Sequence, residues 1–312
     1  MRAFVFPGQG SQKVGMGTEL AAASAAARSV FEEVDDALSQ NLSTIMRDGP
    51  EEELTLTENA QPAIMANAIA TLRVLEQDFG ISLADKAGCV AGHSLGEYSA
   101  LCAVGAFSLA DTARLLKLRG KAMQAAVPVG VGAMCALLGA DVAKAQALAD
   151  AAAQGEVCEL ANDNDPTQVV LSGHTGAIER AVGLVKEHGI KRGVPLPVSA
   201  PFHCSLMQPA ADAMAEALSE TPPHDLAVPL YANVTASLVD NPAQVQELLV
   251  QQVTGRVRWR ESVMAMRAAG AEHFTELGGK VLGPMIGRID REAEAISLVT
   301  MEDLENFARE NG

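Results

Sequence analysis

The chain has 312 residues, 48% of them hydrophobic and 20% charged, a globular composition that excludes intrinsic disorder and leaves room for two lobes or one large α/β domain. A formal charge of −16 argues against non-specific binding to nucleic acid, a polyanion. No apolar run approaches the roughly 18–20 residues that span a bilayer, and "MRAFVFPGQG" turns to glycine too soon for a secretory leader, so a cytoplasmic protein without membrane attachment is expected.

In chain order, "RAFVF" (2–6) reads as a buried strand and "SVFEEVDDALSQNLSTIM" as one amphipathic helix. "TENAQPAIMANAIATLRVLEQDFG" is a long helix with Gln61-Pro62 near its entry and Gly80 at its exit, apolar nearly all round and therefore buried. A short strand "GCVAG" (88–92) runs into a turn and helix, "HSLGEYSALCAVGA". Ser108 and Asp111 form a capping-box pattern ahead of "LADTARLLKLRGKAMQAA".

Residues 127–198 change character. Strand "GAMCALLG", helix "DVAKAQALADAAA", hairpin "EVCELAN"/"TQVVLSG", helix "TGAIERAVGLVKEHG" and strand "IKRGVPLPVS" give the order β-α-β-β-α-β, a ferredoxin-like arrangement. Pro128 and Pro201 punctuate its ends, which suggests a small subdomain inserted between 1–126 and 199–312. Beyond it come a helix at 204–219, strand "VPLYAN", helices at 243–254 and 259–269, strand "HFTEL", strand "ISLVT" and a last helix. Such alternation favours a largely parallel sheet covered on both faces.

Chemistry concentrates in a few stretches. Gly92-His93-Ser94-Leu95-Gly96 matches G-x-S-x-G in the strand-to-helix context that the motif requires. Ser94 is thus a candidate nucleophile, with the Leu95 N–H at the positive end of a helix. Of six histidines, His203 in "SAPFHCSLM" is the candidate base, at a loop-to-helix junction; an unremarkable loop histidine is the competing reading. No aspartate suits the third place of a triad, and a backbone carbonyl could orient the imidazole instead. Arg119 sits on a helix whose apolar side is read as Leu115, Leu118 and Ala122, near that side's edge. It is either a snorkelling surface arginine or a clamp for a substrate carboxylate. The opening "FPGQGSQKVGMG" fails both the G-x-G-x-x-G and the G-x-x-x-x-G-K-[ST] spacing. Its amides are left to face some other anion, such as an oxyanion formed at Ser94. The five cysteines form no C-x-x-C pair and read as free buried or half-buried thiols, with no metal site.

Together "FPGQGSQ", "GHSLGEYSAL", "LLKLRGKAM", "ANDNDPTQVVLSG", "SAPFHCSLM", "LVQQVTGRVRW" and "ELGGKVL" resemble the malonyl-CoA:acyl carrier protein transacylases of fatty acid synthesis, in family order from residue 6 to 282. The resemblance implies an α/β-hydrolase-like core with an inserted ferredoxin-like subdomain. It implies ping-pong transfer from malonyl-CoA to the phosphopantetheine thiol of acyl carrier protein, with CoA as product and no permanently bound cofactor. At matching positions Ser94 would be acylated, His203 would be its base, and Gln9 and Leu95 would offer oxyanion-hole amides. Arg119 would bind the malonyl carboxylate, and the Gln252 carbonyl would orient the histidine. Phe202 resembles the malonyl-specific form of its motif, and Asn162 would support the cleft. "ELGGKVL" departs from the family's Gly-Pro-Gly at that turn. An acidic carrier protein calls for a local basic patch, either Lys186, Lys191 and Arg192 or Arg256, Arg258 and Arg260. A serine esterase or thioesterase using water, and a non-catalytic phosphate-binding module, are the rival readings.

Overall fold

The computed structural model describes residues 1–198 and 200–312. Among them ten strands form two sheets: β1 (Arg2–Phe6), β2 (Cys89–Gly92), β3 (Gly132–Leu138), β4 (Cys158–Asp165), β5 (Gln168–His174), β6 (Arg192–Pro195), β7 (Leu230–Ala232), β8 (Ser237–Val239), β9 (His273–Leu277) and β10 (Glu294–Leu298). The larger sheet has the order β10-β9-β1-β2-β7-β8. Its pairings are parallel except β7 with β8. The protein is therefore α/β, with a mixed, mostly parallel sheet. β1 and β2 are buried almost throughout, as helices on both faces require. Strands are added on one side of β1 first and on its other side later, and in such sheets ligands bind at the carboxyl ends of the strands beside that reversal.

The second sheet, β4-β5-β3-β6, is antiparallel and carries two helices, Val142–Ala153 and Thr175–Leu184. Its apolar cluster, built on residues such as Leu137, Leu148, Val169, Leu171 and Ile178, is separate from the main core. Strand β4 ties the two parts together. Asn162 bridges to Val257, Asp163 pairs with Arg260 at 2.9 Å, and Asp165 pairs with Arg288 at 2.7 Å.

Several expectations need correction. The stretch read as one helix is two, Ala25–Leu38 and Leu42–Asp48. Ser39 takes the left-handed conformation (φ 48°), and the Asp35 carboxylate reaches across the break to accept from the Ser43 amide at 2.8 Å. The helix read as 204–219 opens with a 3-10 turn, Ser205–Met207, before Gln208–Glu220. Strand β8, three residues without clear alternation, is absent from the elements expected from sequence. The strand read over 190–199 pairs only at Arg192–Pro195, and Ser199 lies outside the described residues. Ser108 does accept from the Asp111 amide, at 3.0 Å, as its pattern predicts. All five cysteines are buried free thiols.

The Asp163–Arg260 pair is a test of how the two parts hold together. Asp163 is buried, and burial pushes its carboxyl up more than Arg260 pulls it down. Arg260→Ala would leave that carboxylate buried without a partner, at a cost of about 3 kcal/mol in denaturant unfolding at neutral pH. Because the folded-state value rises further in the variant, the deficit should shrink as pH falls and Asp163 takes up a proton.

Candidate active site

The site begins at the turn between β2 and the helix Gly96–Ala103. Ser94 is held at φ 54°, a left-handed conformation that serine adopts only under constraint. The constraint is visible in the two flanking glycines. A Cβ on Gly92 would lie 1.9 Å from the Gly96 backbone, and a Cβ on Gly96 would lie 2.2 Å from the Phe6 carbonyl. The motif glycines therefore let the turn pack on itself and on the end of β1. The Ser94 amide donates to Asn233 Oδ1 at 2.8 Å, and Asn233 Nδ2 donates to the Gly92 carbonyl at 2.6 Å, locking the turn from β7's side.

His203 reaches Ser94 from the loop that follows the second sheet. Its Nε2 lies 2.8 Å from Ser94 Oγ and its Nδ1 lies 2.9 Å from the Gln252 carbonyl oxygen. A carbonyl only accepts, so the proton sits on Nδ1 and Nε2 is bare toward the hydroxyl. His203 is buried and also left-handed, at φ 58°. Burial, helped by the field of Arg119, pushes its imidazole down to about 3, which keeps it neutral across the physiological range.

Arg119 does not snorkel. It is 1% exposed, and its helix, Leu109–Ala125, buries Leu115, Leu116, Arg119, Gly120 and Met123 while Leu118 is exposed. The expected apolar side was thus rotated, because a buried cation interrupts the pattern on the true inner face. Arg119 Nη1 donates to Gln61 Oε1 at 2.8 Å, and Nη2 donates to Gln252 Oε1 at 2.8 Å and to Ser94 Oγ at 3.2 Å. Its guanidinium carbon stands 5.6 Å from the centroid of the Tyr98 ring. Gly120 sets the distance to Gln61's helix, since a Cβ there would meet Glu58 Cα at 2.6 Å.

A cleft of about 270 Å³ opens over Ser94 and His203, lined also by Gln9, Asn162, Met134 and Phe202. Among the described residues the Gln9 and Leu95 amides have no acceptor. Leu95 caps the elbow helix, so its N–H stands at that helix's positive end. The Gln9 loop is pinned beneath, where a Cβ on Gly8 would lie 2.7 Å from the His93 carbonyl oxygen. The His93 side chain is engaged elsewhere, its Nε2 lying 2.8 Å from Asn164 Oδ1.

The structure thus brings together Ser94, His203, Arg119, Gln252, Gln9, Phe202 and Asn162, with Leu95 next to Ser94. Sequence reasoning missed Glu97, Gln61 and Asn233. Glu97 Oε2 accepts from the Asn233 amide and from Gln252 Nε2, both at 2.9 Å. Each had a signal: Glu97 is the lone acid in an apolar elbow helix, Gln61 a polar residue in a helix apolar nearly all round, and Asn233 the residue after a core strand.

A serine hydroxyl facing a bare imidazole nitrogen above the carboxyl ends of a parallel sheet is an arrangement able to carry acyl groups. The chain belongs to the acyl transferase domain family, whose model matches residues 3–279. It is 44% identical over 288 residues to the malonyl CoA-acyl carrier protein transacylase of Escherichia coli (strain K12), covering 92% of each chain. It superposes with a TM-score of 0.96 on the acyl-carrier-protein-S-malonyltransferase of Bartonella henselae, 51% identical over 99% of this chain and 98% of that one. A malonyl-transacylase solved in complex with its type II PKS acyl-carrier protein is 38% identical, with a TM-score of 0.95 and 99% of both chains covered.

The depressed His203 value predicts a pH profile. Acylation by acetyl-CoA, whose acyl group does not ionise, should keep its rate well below pH 6.5 and fall only near pH 3–4. Arg119→Ala removes one of the three lowering influences, leaving burial and His93, so the acid limb should move upward. Stopped-flow acylation across pH reads both, and an unmoved limb in Arg119→Ala would contradict the assigned cause.

Proposed function

We propose that this chain transfers the malonyl group of malonyl-CoA to the phosphopantetheine thiol of acyl carrier protein, supplying fatty acid synthesis, through a malonyl ester on Ser94. The observation that carries the choice of acyl group is Arg119. It is buried, touches the nucleophilic oxygen, and its Nε has no acceptor among the described residues. The second carboxylate of a malonyl ester lies three bonds from that oxygen, within reach of the guanidinium's unused donors. The names of the relatives and the carrier-protein complex of a structural neighbour support the same substrate pair.

In the first half-reaction His203 Nε2 takes the Ser94 proton as Oγ attacks the thioester carbon. Negative charge gathers on the former carbonyl oxygen, toward which the Gln9 and Leu95 amides are the assigned donors. The C–S bond then breaks and the CoA sulfur leaves with the proton from Nε2. The second half runs the same path in reverse. The carrier's thiol yields its proton to Nε2, the sulfur attacks the ester carbon, and Ser94 Oγ leaves and recovers the proton. A carboxylate on Arg119 also offsets the field that holds His203 down, so the malonyl group itself makes the base stronger. Phe202 and Asn162 both line the cleft; we read the Phe202 ring as taking the space that an α-methyl would need, one methyl being worth about 1–3 kcal/mol of discrimination, and Asn162 as supporting the cleft.

We read 127–198 as the inserted unit, and its strand order, β6-β3-β5-β4, is that of a ferredoxin-like fold. The flanking segments form the α/β-hydrolase-like core. A cytoplasmic location suits both acyl carriers. Lys186, Lys191 and Arg192 are exposed and have no ion-pair partner among the described residues. Arg256, Arg258 and Arg260 already face Glu261 or Asp163. The first cluster is therefore the better dock for an acidic carrier.

Incubation with malonyl-CoA should give a malonyl adduct by intact mass, absent from Ser94→Ala; an adduct that survives in Ser94→Ala would end this mechanism. Rapid loss of the adduct in buffer, without carrier protein, would indicate a hydrolase instead. Arg119→Ala should raise KM for malonyl-CoA and narrow the preference over acetyl-CoA. Reversing Lys191 and Arg192 to glutamate should raise KM for the carrier by roughly tenfold at low salt, with malonyl-enzyme formation unchanged.

A further inference from the structure

Behind the nucleophile lies a carboxylate that touches none of the reacting groups. Glu97 is 1% exposed and sits three residues after Ser94, on the first turn of the elbow helix. Its Oε2 receives two N–H groups, the Asn233 amide and Gln252 Nε2. Gln252 is the residue on which the site converges. Its main-chain oxygen accepts from His203, its Oε1 accepts from Arg119, and its Nε2 donates to the Ser94 carbonyl at 3.0 Å as well as to Glu97.

A side-chain amide has two nearly isosteric orientations, and only one suits Arg119. Rotated by half a turn, Gln252 would present an NH₂ group to a guanidinium that has only donors. On the other side Glu97 Oε2 and the Ser94 carbonyl both act as acceptors. They hold Nε2 toward themselves and Oε1 toward Arg119. Because the amide and the guanidinium are both buried, neither can turn to water for a replacement partner.

Resting on the malonyl reading above, we propose that Glu97 is a positioning residue for acyl-group selection: by fixing the Gln252 amide it orients Arg119 toward the free carboxylate of the acyl group. It acts through its hydrogen bonds to Gln252 and not through its charge. The same oxygen secures the Asn233 backbone, whose side chain holds the Ser94 amide. Glu97 thereby links the clamp to the nucleophile's turn.

Two near-isosteric variants separate hydrogen bonding from charge. Glu97→Gln keeps an acceptor oxygen at full length without the charge; Glu97→Asp keeps the charge but withdraws the oxygen by one methylene. The readout is the ratio of kcat/KM for malonyl-CoA over acetyl-CoA in acyl-enzyme formation, with melting curves to confirm folding. Glu97→Gln should stay within about threefold of the parent ratio, whereas Glu97→Asp should lose about tenfold or more, chiefly through KM for malonyl-CoA. An unchanged ratio in a folded Glu97→Asp, or a loss in Glu97→Gln equal to that in Glu97→Asp, would overturn the assignment. If Glu97→Asp does not fold, Glu97→Met, which fills a similar volume without a carboxylate acceptor, takes its place: it should lose about tenfold or more of the ratio, and an unchanged ratio in folded Glu97→Met would overturn the assignment. Failure of the unmodified protein to form a malonyl-enzyme would instead overturn the malonyl reading itself.

Discussion

A guanidinium buried against a serine hydroxyl is the constraint around which the rest of this site is arranged. Arg119 has lost its water, and an arginine cannot shed its charge to compensate. Its stabilisation must come from fixed protein groups: the side-chain amide oxygens of Gln61 and Gln252, the face of Tyr98 and the more distant charge of Glu97. They come from three different helices, Thr57–Gln77, Gly96–Ala103 and Pro242–Thr254, so the charge can be accommodated only when those elements have docked. Gly120 shows how closely the docking is specified, because no side chain fits between Arg119's helix and the start of the helix that carries Gln61.

The same packing holds two residues in conformations they would not choose. Ser94 and His203 both have positive φ, in a chain where few residues other than glycine do. Such strain costs on the order of 1–3 kcal/mol per residue and persists only where surroundings over-determine it. Around Ser94 the surroundings are the stacked backbones of Gly92 and Gly96 and the Asn233 amide. Around His203 they are the Gln252 carbonyl and the turn that follows, where Ser205 donates to Glu159 of β4. The second sheet therefore also fixes the position of the proposed base.

The elements legible in the sequence were those whose residues agree with local rules. Buried strands such as "AFVF", the serine turn between its glycines and the capped helix at Ser108 follow from propensity and spacing alone. The helix face around Arg119 was misread because periodicity assumes that the inner face is apolar, and there the inner face carries the site's cation. Strand β8 was missed because a three-residue edge pairing leaves almost no alternation. Glu97 and Asn233 were visible as polar residues in apolar settings, yet their meaning depends on Gln252, more than 150 residues away from Glu97 in sequence. Long-range hydrogen bonds of this kind leave no local trace.

The Gln252 carbonyl also explains why a carboxylate partner for the histidine would be out of place. A carboxylate in contact with His203 Nδ1 would stand close to Arg119, whose Nη2 already reaches the side chain of the residue at that position. It would pair with the guanidinium and compete with the acyl carboxylate that the clamp is proposed to hold. A carbonyl fixes the same tautomer without charge and leaves Arg119 uncommitted. The acid that the site does contain, Glu97, is separated from Arg119 by the Gln252 amide, and burial pushes its carboxyl up to about 7, so its charge is weakened at neutral pH. The histidine is oriented by a dipole and the arginine is held by amides, which leaves the substrate's own carboxylate as the strongest anion available to the cation.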